Sequence, residues 1–226
     1  VLVNADTNWS ADLPGTKAPI ELNDAPVSVE DGVTLTVSDT QEDNAAFEGD
    51  GTLQVITENR GVVDVPADMK FVEINVVEDA TEVTVRDFSG VTVDNPDTDD
   101  VDEADLDIFA FNEPGITGGE FANLAAAGDI DADAGIVVWT GADLAVPVAD
   151  VDAAALSAVV DFAAEGDKLY FAATDGVDTG IWLISDTEAT DKDTVDFADL
   201  VVTLEGFTNV AALTAANFED FSAPAA

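Results

Sequence analysis

The stretch VTLTVSD, Val33–Asp39, alternates Val33, Leu35 and Val37 with Thr34, Thr36 and Ser38. A two-residue period of this kind belongs to a strand with one buried face, and its β-branched residues favour extended backbone over helix. The pattern recurs outward along the chain. GTLQVIT (Gly51–Thr57), GVVDVPA (Gly61–Ala67), FVEINVVED (Phe71–Asp79), TEVTVRDF (Thr81–Phe88) and GVTVDN (Gly90–Asn95) all read as short strands. Their centres lie about ten residues apart, a spacing typical of all-β domains. GDGT (Gly49–Thr52) and ENRG (Glu58–Gly61) carry the clearest turn signals. The fold class is mainly β. For the N-terminal half two architectures fit, an antiparallel β-sandwich or a stack of solenoid-like rungs.

The second half reads as β-rich and partly helical. KLYFAAT (Lys168–Thr174), TGIWLISD (Thr179–Asp186) and DLVVTLEG (Asp199–Gly206) are strands by composition. VDAAALSAVVDFAAEGD (Val151–Asp167) is the best helix candidate, with Asp152 as N-cap and Leu156, Val159, Val160 and Ala163 along one face. GGEFANLAAAG (Gly118–Gly128) also has a helical look, and VAALTAANFEDF (Val210–Phe221) suggests a short turn or helix. These features divide the chain into an N-terminal strand and linker (1–18), a β domain (19–100) and a β-rich domain with short helices (101–226).

Among 226 residues there are 49 Asp and Glu against 6 Lys and Arg, a net charge of −43. Self-repulsion at this density opposes compaction unless counterions gather. Without a basic patch, nucleic acid is excluded as a partner, and so are anionic membrane surfaces. No apolar run is long enough to span a membrane. Cys and His are both absent, which removes disulfides, zinc-type sites, Cys–His or Ser–His nucleophile pairs and histidine acid–base chemistry. Cations are the natural partners. Two settings favour such a composition: a calcium-containing exterior, or the cytoplasm of a salt-accumulating cell.

Three acidic segments have the oxygen density that calcium requires. The densest, DNPDTDDVDEADLD (Asp94–Asp107), holds eight carboxylates and no basic residue; its candidate ligands are Asp97, Asp99, Asp102 and Asp105. DIDADAG (Asp129–Gly135) offers Asp129, Asp131 and Asp133, although Ala134 stands where an EF-hand needs Gly and no closing Glu follows. DTEATDKDTVDFAD (Asp186–Asp199) offers Asp186, Asp191, Asp193 and Asp199, with Thr190 and Lys192 at positions where ligands would be expected. The alternative for each segment is a solvated acidic turn or linker.

Carboxylate catalysis of the glycosidase type needs only two acids at a set separation. No pair stands out here, and the aromatics Trp9, Trp139, Trp182 and Tyr170 are scattered, so an enzyme is not expected. A groove lined by Trp139, Trp182 and Tyr170 would instead indicate an adhesin-type module for carbohydrate or a cell surface. The apolar strand at Val1–Asn4 has two readings: it pairs within its own domain, or it completes a neighbour's sheet and makes a homopolymer.

EGDKLYFAATDGVDTGIWLISDTEATDKDTVDFADLVVTLEGFTNVAALTAANF (Glu165–Phe218), roughly a quarter of the chain, resembles the C-terminal region of bacterial surface-layer and calcium-dependent type I-secreted proteins. In that region GDKL leads into a strand, a second strand ends in an Asp-rich loop, and a Leu-rich strand precedes a closing LTAANF phrase. The resemblance implies export without a cleaved N-terminal signal, calcium-assisted folding outside the cell, and a structural or adhesive role. The chain lacks the Gly-Gly-x-Gly-x-Asp nonapeptides of the calcium β-roll, so no β-roll site is transferred to it. The expectation is an extracellular, self-associating structural subunit that uses calcium.

Overall fold

The computed structural model describes residues 1–9, 26–38, 41, 45–57, 62–64, 69–76, 83–86, 88, 106–111, 116, 119–130, 133–162, 167–187 and 194–218. The fold is mainly β, and the chain divides into two compact units, Val1–Asn112 and Glu113–Ala226.

The first unit holds β1 (Leu2–Val3), β2 (Thr7–Asn8), β3 (Pro26–Val29), β4 (Thr34–Ser38), β5 (Ala46–Thr57), β6 (Val62–Asp64), β7 (Met69–Val76), β8 (Val83–Arg86) and β9 (Leu106–Phe111). Its described strand pairs all run parallel. β3 lies between β1 and the first part of β5, while β4 lies between β2 and the second part of β5. β7 pairs with β5, β9 with β7, and β6 with β8. Parallel register sets like beside like: Val27 beside Phe47, Leu35 beside Leu53, Val37 beside Val55, Val63 beside Val85. All eight of these side chains are buried, so the alternation read from the sequence becomes apolar columns one strand spacing apart. Between them, Thr36 donates its hydroxyl to Gln54 Oε1 at 2.8 Å. Phe88 stacks on Phe109 with ring centroids 4.9 Å apart.

β5 pairs with β3 through its first part and with β4 through its second, changing over at Gly49-Asp50-Gly51, where its register against its third partner, β7, also shifts. Gly49 has φ +117°, and a Cβ there would stand 2.3 Å from the Val29 carbonyl oxygen. Only glycine fits that approach. The GDGT signal therefore marks a corner within one long strand rather than a chain reversal.

The second unit holds β10 (Glu120–Leu124), β11 (Gly128–Asp129), β12 (Ala134–Trp139), α1 (Ala153–Leu156), β13 (Val160–Asp161), β14 (Lys168–Thr174), β15 (Thr179–Ser185) and β16 (Phe197–Leu204). Five of these strands form a sheet in the order β10-β12-β14-β15-β16, parallel as far as β14 and antiparallel beyond it. β11 and β13 form a separate parallel pair.

One face of the sheet carries Val137, Trp139, Phe171, Trp182 and Ile184, packed with Leu156, Val160, Phe162 and Val195 from the connections. The other face carries the buried Ile136, Val138, Tyr170, Ile181 and Val202. The C-terminal segment covers it: the 3-10 turn Val210–Ala212 packs on β12 and β14, and Phe218 lies 6.0 Å from Phe121 between ring centroids.

Two helical expectations are corrected. Gly118–Gly128 contains strand β10, with Phe121 buried. The long helix over Val151–Asp167 is a single turn, Ala153–Leu156, followed by β13. Asp152 does cap it, accepting the Ala155 N–H at 2.9 Å. The Ser157 hydroxyl then donates back to the Ala153 carbonyl and accepts the Val195 N–H, competing with continued helix. The β-branched pair Val159-Val160 leads into the strand. The closing segment forms two 3-10 turns, the second with a capping box between Thr214 and Asn217.

Candidate functional site

Asp97, Asp99, Asp102 and Asp105 lie outside the described residues, as do Asp131, Asp191 and Asp193. The other four candidate ligands fall at separate places. Asp129 closes β11 opposite Asp161, and Asp133 is exposed just before β12, its carbonyl accepting the Glu120 N–H. Between them Ile130 is buried and donates its N–H to the Asp161 carbonyl.

Asp186 and Asp199 do not meet. Asp199 is exposed on β16 opposite Leu183. Asp186 follows Ser185 and is fully buried, and strand alternation sends residues 184 and 186 to the face opposite 183. Val195, within the same acidic segment, is a core residue whose N–H is held by the Ser157 hydroxyl. Among the described residues no group of three or more Asp or Glu could hold a metal ion.

Several of the described carboxylates accept backbone N–H groups. Asp6 takes Thr34, Asp196 takes Thr187, and Asp178 takes Gly206. Asp175 does most. It sits in the turn between β14 and β15, where Oδ1 accepts the N–H groups of Val177 and Asp178 at 2.8 and 2.9 Å. Its Oδ2 accepts the Val148 N–H at 2.9 Å from a segment 27 residues earlier. Burial pulls this carboxyl upward, but the backbone donors outweigh it and hold the group below its ordinary value of 3.8. Sequence reasoning singled out Asp152 as a cap and missed Asp175. The available signal was TDGVD, an Asp two and three residues ahead of free turn N–H groups.

A shallow, open depression of about 420 Å³ in the first unit is lined by Ser28, Val29, Glu30, Asp31, Gly49 and Asp50, beside the β5 corner. Trp139, Trp182 and Tyr170 are all buried, the two tryptophans on one face of the second sheet and Tyr170 on the other. Trp139 donates its indole N–H to the Ala142 carbonyl at 2.7 Å.

The Val1–Asn4 strand pairs within its own unit. β1 runs parallel to β3, with the Val1 and Val3 carbonyls accepting the N–H groups of Ser28 and Glu30, and the terminal ammonium donating to the Pro26 carbonyl. No helix among the described residues is long and apolar enough to cross a membrane. No protein-family model, no curated protein and no solved structure matches this chain.

Proposed function

We propose that this chain is an extracellular structural subunit that self-assembles into a surface layer or fibre, stabilised by calcium at its Asp-rich loops. The observation that carries the reading is the parallel ladder of the first unit. Pro26 lies beside Ala46, Thr34 beside Thr52, and Thr52 beside Phe71. These three returns to the ladder take roughly twenty residues, the length of one rung in a stacked repeat, while Leu2 to Ser28, Thr7 to Leu35 and Phe71 to Leu106 are longer, at 26, 28 and 35 residues. We infer a solenoid-like coil with two strands per rung, which accounts for the ten-residue strand interval of the sequence. Stacked rungs make an elongated scaffold, and parallel strand edges accept further strands from outside.

The calcium part rests on the charge. The acidic run 94–107 has no basic residue, and a cation bound only by the folded state stabilises it by mass action, about 2.7 kcal/mol per site at a hundredfold excess over Kd. The resemblance of Glu165–Phe218 to exported surface proteins supports the location, and the proposal gives the chain no catalytic role. The test is electron microscopy and sedimentation of the purified chain in millimolar calcium and in chelator. Ordered particles in calcium alone support the proposal; a monomer in both defeats it.

A further inference from the structure

The connection between β12 and α1 crosses the β14–β15 end of the second unit as a strap. Leu144 N–H donates to the Thr174 carbonyl at 2.8 Å, and the Asp143 carboxylate lies against Gly176. Further along, Val148 is buried where Gly180 and the Trp182 ring leave room for it; a Cβ on Gly180 would meet the Trp182 ring at 2.3 Å and the Val148 Cγ1 at 2.7 Å. The Val148 N–H is what binds this end of the strap to the hairpin, through Asp175 Oδ2. The same carboxylate orders its own turn through Val177 and Asp178, so one side chain fixes both parts.

We propose that Asp175 is an acid-sensitive latch: protonating its carboxylate releases the Val148 end of the strap from the β14–β15 turn and uncovers the edge of Trp182, while the central strands stay paired. Among the described residues, the charged groups on the strap and the turns around the latch are acidic. Asp143 and Asp150 lie on the strap, Asp178 on the same turn, and Glu205 beside Gly206 on the turn that Asp178 holds. A protonated Asp175 has lost charge-assisted acceptance of three N–H groups. Release is driven by those lost hydrogen bonds alone, since removing charge from Asp175 beside Asp143 on the strap favours the closed form. A carboxyl held below its unfolded value gives stability that is complete well above that value and disappears as pH falls through the folded one. Release therefore belongs on the acid side of the ordinary aspartate range.

The experiment is amide hydrogen exchange and amide chemical shift on the whole chain, read at Val148, Val177 and Asp178 and, for the core, at Phe171 and Ile184. In wild type the three latch amides should shift together on acidification, at a pH where the two core amides keep their protection. At neutral pH, Asp175→Asn should lower Val148 protection about tenfold or more, as expected for a lost bond to a charged acceptor. Asp178→Asn should leave Val148 unchanged, because Asp178 binds Gly206 instead. Unchanged Val148 protection in Asp175→Asn, or loss of latch and core amides in one step in acidified wild type, overturns the latch. Should Asp175→Asn fail to fold, the wild-type titration alone decides.

Discussion

Val1–Asn112 and Glu113–Ala226 are both built from strands, yet they bury them differently. In the first unit buried and less-buried positions alternate along β3, β8 and much of β5, although β4 buries Leu35, Thr36 and Val37 in succession, and the described strand pairs all run parallel. In the second, β12 is buried at all six positions and β14 at six of seven, because the sheet is covered on both faces. A sheet with one buried face shows alternation in its sequence. A sheet with two buried faces shows an apolar run, which periodicity alone does not separate from helix.

The largest effect that would break this comparison is at the doubly covered sheet. Trp182→Ala should cost about 3–5 kcal/mol, as for a large aromatic removed from a packed core, measured by urea unfolding. A cost near that of a surface substitution would mean the sheet is not covered as described. A smaller effect sharpens the picture of the first unit. Gly49→Ala forces a side chain into left-handed backbone and against Val29, at about 1–3 kcal/mol. Gly32→Ala, at φ +73° with nothing within 4 Å of its Cβ, should cost less, and equal costs would remove the argument for a crowded corner. The smallest is Asp152→Ala, about 1 kcal/mol for a lost N-cap, read from the thermal midpoint. No change there would show that the single turn of α1 is held by Leu156 and Ser157 rather than by its cap.

The first unit was largely legible. VTLTVSD, GTLQVIT and FVEINVVED all contain strands where their period placed them. GVTVDN lies outside the described residues. Strand direction was not legible, since alternation is the same for parallel and antiparallel pairs and only register against a partner distinguishes them. In the second unit KLYFAAT and TGIWLISD were clear from β-branched and aromatic content. GGEFANLAAAG and AALSAVV were misread because their alanines favour helix locally, while pairing within the sheets draws Glu120–Leu124 and Val160–Asp161 into strands. The candidate site was less legible still. A count of Asp residues does not say whether a carboxylate faces a cation, water or a backbone N–H. Asp175, Asp178 and Asp196 each answer with backbone, a choice set by turns whose geometry appears only once the strands are paired.

The central claim is that calcium, acting on the acidic loops, drives folding stability and assembly together. The most direct test is a thermal melt with simultaneous light scattering in chelator, millimolar calcium, millimolar magnesium and molar sodium chloride. The account predicts that calcium alone raises the midpoint and starts particle growth. Stabilisation by molar salt with no particular effect of calcium, and no particles in any condition, would contradict it and make DNPDTDDVDEADLD a hydrated acidic surface.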